Sequence, residues 1–267
     1  MFSYIDERIR KVLEEKGRIR TVAGAGGLRL AMIGPIPLPV MDPSSGQEKM
    51  LDWYPFVRRT ELEEVDGIAR GLRDGRPDGL LRLVSSFMCV NSVLVHGDLG
   101  QHPRPLVRVH SCCMTSDVFG SMRCDCGPQL RESWRRIFGE GAGALVYMSG
   151  HEGRGIGLWA KGVTYLLQDM GQDTYQANES LGLPADSRDF TDAAVALRHL
   201  LRPGAAIRLL TNNPMKVDHM RSGGIDVVEQ VELVAGVTRH NLRYLHAKRG
   251  RGHGFGSLPA PEDQGKG

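Results

Sequence analysis

The cysteines constrain this chain more than any other feature. Of its five, Cys112, Cys113, Cys124 and Cys126 fall within fifteen residues, and Cys89 stands apart. An odd, clustered set points to a metal site or to catalysis and away from a disulfide framework. The segment VRVHSCCMTSDVFGSMRCDCGPQL (107–130) places ten residues between Cys113 and the Cys124-Asp-Cys126 pair. Two sulfurs of a C-x-C pair share one side when the middle residue turns away, and the intervening loop returns a third. Zn²⁺ prefers such thiolates, at about 2.3 Å, and three of them leave its fourth tetrahedral position for water, as in a catalytic site. A fourth ligand from His110 or Cys112 would close it. Neighbours in an extended segment point to opposite faces, which favours Cys113 over Cys112. Spacing alone leaves two plainer readings open, buried free thiols and a closed structural zinc. Cys89, in the apolar run SSFMCVNSV, reads as core.

At 41% hydrophobic and 24% charged, 267 residues suffice to bury a sizeable core. No run approaches the roughly 18 apolar residues of a membrane span. The start, MFSYIDERIRKVLEEKGRIR, lacks the apolar centre of a secretory signal, so the expected location is the cytoplasm, with no membrane partner. A net charge of +3 is too small to argue for nucleic acid. The densest basic group, Lys248, Arg249 and Arg251, reads as a solvated tail.

Residues 1–20 are expected as one exposed helix, followed by the turn AGAGG. LRLAMIGPIPLPVMD reads as strand, turn and strand, because Pro35, Pro37 and Pro39 exclude a helix. Leu62, Val65, Ile68 and Leu72 are spaced as one face of a helix over 60–75. NSVLVHGDL and PLVRVHS suggest two strands. Strands and helices then alternate: helix 127–141, strand 142–148, helix 156–170, helix 191–204 ended by Pro203 and Gly204, and strand 206–214. Alternation of this kind implies a layered α/β domain with a mixed sheet and ligands at the strand ends. The expected organisation is a smaller N-terminal α+β extension (1–88), a catalytic domain (89–254) and a flexible Gly/Pro-rich tail (255–267).

Beyond the cysteines, EGRGIG offers glycines for close backbone approach, with Arg154 able to pair with phosphate and Glu152 able to accept N–H bonds. PADSRDF presents Asp186 and Arg188 two residues apart, on one side of an extended loop. His110 and His151 are candidates for proton transfer.

RVHSCC and GSMRCDCGPQL, with GHEGRGIGL, LLQDMGQDTYQAN, LGLPADSRDF, LLTNNPMKV and NLRYLHAKRGRGHG, occur in the order and spacing of the GTP cyclohydrolase II family. The chain resembles that family over about residues 89–254. The resemblance implies hydrolysis of GTP at C8, losing formate and pyrophosphate and leaving 2,5-diamino-6-ribosylamino-4(3H)-pyrimidinone 5′-phosphate, the entry step of riboflavin synthesis. It implies one zinc on Cys113, Cys124 and Cys126, Mg²⁺ with the polyphosphate, and a homodimer. By the same resemblance Arg108, Val109, His110, Ser111 and Cys112 line the nucleotide site with Glu152, Gly153 and Arg154. Gln129, Thr174, Thr211 and Lys216 match further binding positions, and Asp186, Arg188 and Tyr165 match catalytic ones. An arginine is a poor nucleophile, so charge stabilisation suits Arg188 better, with Asp186 holding it. Two departures stand out: Cys112 occupies a position where glutamate is common, and residues 1–88 exceed the short N-terminal segment of compact members. The other readings are a member that stops at the formamidopyrimidine or takes another nucleotide, and a non-catalytic zinc- or nucleotide-binding module.

Overall fold

The computed structural model describes residues 7–75 and 89–259. The start of the helix expected over 1–20, the proposed boundary at 88 and the end of the expected tail lie outside them. The helix ends before its sequence pattern does: among the described residues α1 spans Glu7–Glu15. Gly17 ends it in the left-handed conformation (φ 63°) that glycine adopts without steric cost. Ile19–Ala23 then becomes strand β1 instead of a further helical turn.

β2 (Arg29–Ile33) and β3 (Ile36–Met41) are the two expected strands, yet they do not pair with each other. Both run antiparallel to β4 (Glu48–Arg58), which no sequence periodicity announced, its burial following no regular alternation. β3 pairs with β4 alone, so Pro37 and Pro39 withhold no ladder donor from a second neighbour. Helix α2 (Arg59–Arg73) follows, burying Val65 and Ile68.

β5 (Asn91–His96), β6 (Leu106–Ser111) and β7 (Gly143–Met148) match expectation. β8 (Ala206–Leu210) is shorter than expected, because Asn213 caps a new helix, α8, accepting from the Met215 N–H at 3.0 Å. That helix spans Pro214–Ser222, with proline at its first position. The other helices are α3 (Met114–Asp117), α4 (Cys126–Gly139), α5 (Gly157–Asp169), α6 (Gln176–Ser180), α7 (Thr191–Leu200) and α9 (Leu242–Gly250); β9 spans Asp226–Val231. The helix expected over 191–204 thus stops at Leu200, ahead of Pro203.

All nine described strands form one mixed sheet in the order β1-β2-β4-β5-β7-β6-β8-β9, with β3 on β4. Pairings from β1 to β7 are antiparallel; β7-β6, β6-β8 and β8-β9 are parallel. The strands of residues 19–58 therefore continue the sheet that carries the rest of the chain. Alternation along β6 sorts its side chains by face. Val107 and Val109 join Val146, Leu209 and the small residues Ala193, Ala194 and Ala196 of α7 in the larger core. Leu106 joins Leu145, Leu210 and Ile137 of α4 on the other face. Each fully buried Val, Leu or Ile contributes about 1.5–3 kcal/mol, so helices are held against both faces. The carboxyl ends of the adjacent strands β7, β6 and β8 are left to carry loops, the usual place for a ligand in such sheets.

Candidate functional site

Those three strand ends open into a cleft of about 970 Å³, its mouth included. At one end lie the cysteines. The Sγ atoms of Cys113, Cys124 and Cys126 lie within 4.8 Å of one another, with Cys113 and Cys124 buried. Cys113 follows β6 and precedes α3. Cys124 and Cys126 lead into α4, whose first turn meets α3 because position 127 is glycine: a Cβ there would lie 2.5 Å from the Ser116 carbonyl oxygen. Between the two sulfurs, Asp125 turns away, its buried carboxylate accepting from Gln129 (2.5 Å) and Lys248 (3.1 Å). Hydrogen bonds from Cys124 and Cys126, aided by the Lys161 charge, hold the Cys113 thiol far below its ordinary pKa. Three convergent sulfurs, one readily a thiolate, suit a soft or borderline cation such as Zn²⁺.

Cys112 points elsewhere. Its Sγ lies 3.7 Å from Glu152, and burial first of all pushes its thiol up to about 11. Glu152 accepts from the Met114 N–H (2.6 Å) and from Lys161, so it fastens its own loop to the start of α3. Asp117 holds the same corner from below. It accepts from the Cys113 N–H (3.1 Å) and the Tyr147 hydroxyl (3.0 Å), and pairs with His110 Nε2 at 3.1 Å. The Tyr165 hydroxyl lies 2.9 Å from Thr115 Oγ1, itself 3.7 Å from Cys113 Sγ.

The same cleft is cationic. Arg108, Arg123, Arg154, Lys161, Arg188, Lys216 and Lys248 line it, Lys161 beside the sulfurs, and Glu152 is the single carboxylate among its described lining residues. Burial, then Arg108, Arg188 and Lys248, push the Lys216 ammonium well below its ordinary pKa; its Nζ donates to the Val109 carbonyl at 2.7 Å. Burial brings Arg108 down to about 10; it donates to Leu210 O (2.9 Å) and Gln129 (2.7 Å). Arg154 is the one non-glycine residue at positive φ (62°) among those described. Such a conformation costs on the order of 1–3 kcal/mol and gathers at functional sites. Here it aims the guanidinium over the Tyr175 ring (4.1 Å) and onto Thr174 Oγ1 (2.6 Å). Glycines at 153 and 155 (φ 60° and 91°) make the turn around it. Arg188 forms a two-pronged pair with Asp186 (2.8 and 2.5 Å). Burial pushes the Asp186 carboxyl up, but Arg188 outweighs it and the net shift is downward.

Of the residues singled out in the sequence, Arg108, His110, Ser111, Cys112, Gln129, Glu152, Gly153, Arg154, Tyr165, Thr174, Arg188, Thr211 and Lys216 line this cleft with the three cysteines. Val109 contributes its carbonyl oxygen, and Asp186 stands behind Arg188. Lys248 overturns one expectation: it is no solvated tail but lines the cleft, paired with Asp125. Sequence reading passed over Lys161, Asp117, Arg123 and Tyr244. A lysine inside the pattern of an amphipathic helix looks solvent-facing, and only the fold buries Lys161 against Cys113.

The fold and this cleft define an α/β protein with three convergent cysteine sulfurs that could hold a metal ion. Comparison is more specific: the sequence profile described as GTP cyclohydrolase II matches residues 89–232, and the chain belongs to that family. It is 51% identical over 162 residues to the riboflavin biosynthesis protein RibBA of Nocardia farcinica, an alignment covering 60% of this chain and 38% of the relative. With RibBA of Salinispora arenicola it shares 51% identity over 207 residues, 76% of this chain and 48% of the relative. A bifunctional riboflavin biosynthesis protein of Arabidopsis thaliana, described as chloroplastic, is 48% identical over 164 residues, 61% and 30% of the two chains. The matched part is thus less than half of each of these three relatives.

Proposed function

We propose that the chain hydrolyses GTP at C8 of its guanine ring, releasing formate and pyrophosphate and giving 2,5-diamino-6-ribosylamino-4(3H)-pyrimidinone 5′-phosphate for riboflavin synthesis. The observation that carries this reading is the pairing, in one cleft, of three convergent cysteine sulfurs with a cluster of cations. Cys113, Cys124 and Cys126 would hold one Zn²⁺, which when bound polarises its ligands and supplies a water acidic enough to ionise near neutrality. The triphosphate would lie along Arg154, Arg188, Lys216 and Lys248, with Mg²⁺ supplying it with further countercharge. Arg188, fixed by Asp186, stabilises charge that builds at the α-phosphorus as pyrophosphate leaves. Tyr165, held through Thr115 beside Cys113, places a hydroxyl where C8 must sit and orients water for loss of the formyl group. Glu152, Ser111, Thr174 and Thr211 shape the remaining wall, and the aromatic faces of Tyr175 and Tyr244 exclude water.

No helix among the described residues is long and apolar enough to cross a membrane, and we read the compartment as cytoplasm. We read the assembly as a homodimer without nucleic acid. α5 exposes Trp159 (90%), Met170 just past its end is 80% exposed, and the loop after α3 exposes Val118 and Phe119, apolar side chains that a second copy would cover. Mass spectrometry after incubation of zinc-loaded protein with GTP tests the reaction. Stoichiometric formate and pyrophosphate are expected. A product retaining the formyl carbon would move the chain to the formamidopyrimidine reading, and absence of turnover would reject GTP.

A further inference from the structure

The established motifs leave one buried charge unexplained. Lys161, on the inner side of α5, is only 8% exposed. Its ammonium carries three protons and meets three acceptors: Cys113 Sγ at 3.2 Å, Thr115 Oγ1 at 2.9 Å and a Glu152 carboxylate oxygen. A buried ammonium persists only where its charge is matched, and here the match is a carboxylate plus a cysteine of the sulfur cluster. None of its donors is left over for a ligand, so Lys161 differs from Arg154 or Lys216 although it lines the same cleft. The carboxylate partner belongs to the 149–154 loop and the sulfur partner to the segment after β6, so the lysine joins elements that approach each other only in the folded chain. Through Thr115 the same contact reaches the Tyr165 hydroxyl.

We propose that Lys161 is a positioning residue of the metal centre: its N–H···S hydrogen bond fixes the Cys113 side chain and offsets negative charge on the sulfur set. The proposal rests on the reading of the cluster as a zinc site. Three thiolates around a divalent cation leave a net negative charge in a buried place, and a fixed ammonium 3.2 Å from one sulfur opposes it. A hydrogen bond to a thiolate also lowers the energy of the sulfur lone pair, so its removal moves the sulfur-to-metal charge-transfer absorption to longer wavelength. Partners behind metal ligands typically govern affinity by 10–100-fold. The interplay with Glu152 sets the direction. Removing the lysine alone strands a buried carboxylate, whereas removing both charges leaves the lost contacts to Cys113 and Thr115 with no charge stranded.

Two variants of the full chain test this: Lys161→Met, and Lys161→Met combined with Glu152→Gln, which leaves no unpaired buried charge should the single variant fail to fold. Zinc affinity is measured by competition with a chromophoric chelator at fixed pH. The Co²⁺-loaded proteins are compared through their sulfur-to-metal charge-transfer absorption, which a purely structural role would not move. A loss of zinc affinity of about 10–100-fold in both variants is expected, with the charge-transfer band shifted to longer wavelength. Unchanged affinity and an unmoved band in the folded double variant overturn the proposal while leaving the zinc site standing. Wild-type protein that takes up no zinc overturns the site and the proposal together.

Discussion

The two ends of the cleft are built on opposite electrostatic plans. At the sulfur end the fixed charges have partners: Lys161 faces Glu152 and Cys113, and Asp117 accepts from the Cys113 N–H and the Tyr147 hydroxyl. Elsewhere in the cleft, Lys216 meets a carbonyl oxygen and the Phe190 ring, and neither it nor Arg154 has a carboxylate within ion-pair reach among the described residues, whereas Arg188 and Lys248 are paired with Asp186 and Asp125. Burial and neighbouring cations hold Lys216 well below its ordinary pKa, a shift that a bound anion would oppose. Lys161 thus has its countercharge in place, whereas Arg154 and Lys216 do not. On the proposed reading, the first region holds the metal and the second receives the polyphosphate.

Substitutions should divide along that line. Cys113→Ser is expected to have the largest effect, removing both bound zinc, read by elemental analysis, and formate release; a variant that kept both would merge the two ends. Arg188→Ala should retain zinc yet lose about 10²–10³ in kcat, the scale for removing one charge-stabilising donor. Zinc loss in that variant would show that the ends are not independent.

The cationic end also imposes a pH dependence on stability. Burial, then Arg188 and Lys216, bring His151 from 6.5 down to about 4. The folded protein thus keeps this imidazole neutral while the unfolded chain takes up its proton first as pH falls through 6.5. Stability from this group is full above pH 6.5 and is lost as pH falls through about 4, by at most about 3 kcal/mol. His151→Gln should flatten that part of the acid limb in chemical denaturation, and an unchanged limb would remove His151 from the account. The smallest effect is expected outside the cleft. Arg135, more than half exposed, pairs with Glu132 at 2.6 Å on α4. Arg135→Ala should leave the denaturation midpoint and the activity close to those of the unaltered chain.

The sequence was more informative about one end than the other. Cys113, Cys124 and Cys126 are close in the chain, and the choice of Cys113 over Cys112 followed from simple strand geometry, since Cys112 turns towards Glu152. The alternation from β6 to β8 was legible because apolar runs and amphipathic helices carry their own periods. Lys161, Asp117 and Lys248 were not, because a charged residue declares its burial only through partners distant in sequence, 123 residues away for Lys248 and Asp125. The sheet's first half was hidden for the same reason. β2 and β3 follow one another, yet both find β4, and no local pattern in EKMLDWYPFVR announces a strand at that position.

The central claim is that one ligand spans both ends, with its reacting carbon at the sulfurs and its phosphates at the cations. Anomalous diffraction from crystals of the zinc-loaded chain with a non-hydrolysable GTP analogue tests it most directly. The account predicts one zinc peak about 2.3 Å from Cys113, Cys124 and Cys126 Sγ, the guanine imidazole ring facing it, and the phosphates against Arg154, Arg188 and Lys216. Zinc held away from those sulfurs, or the base lodged among the cations with the phosphates at the sulfur end, would contradict it.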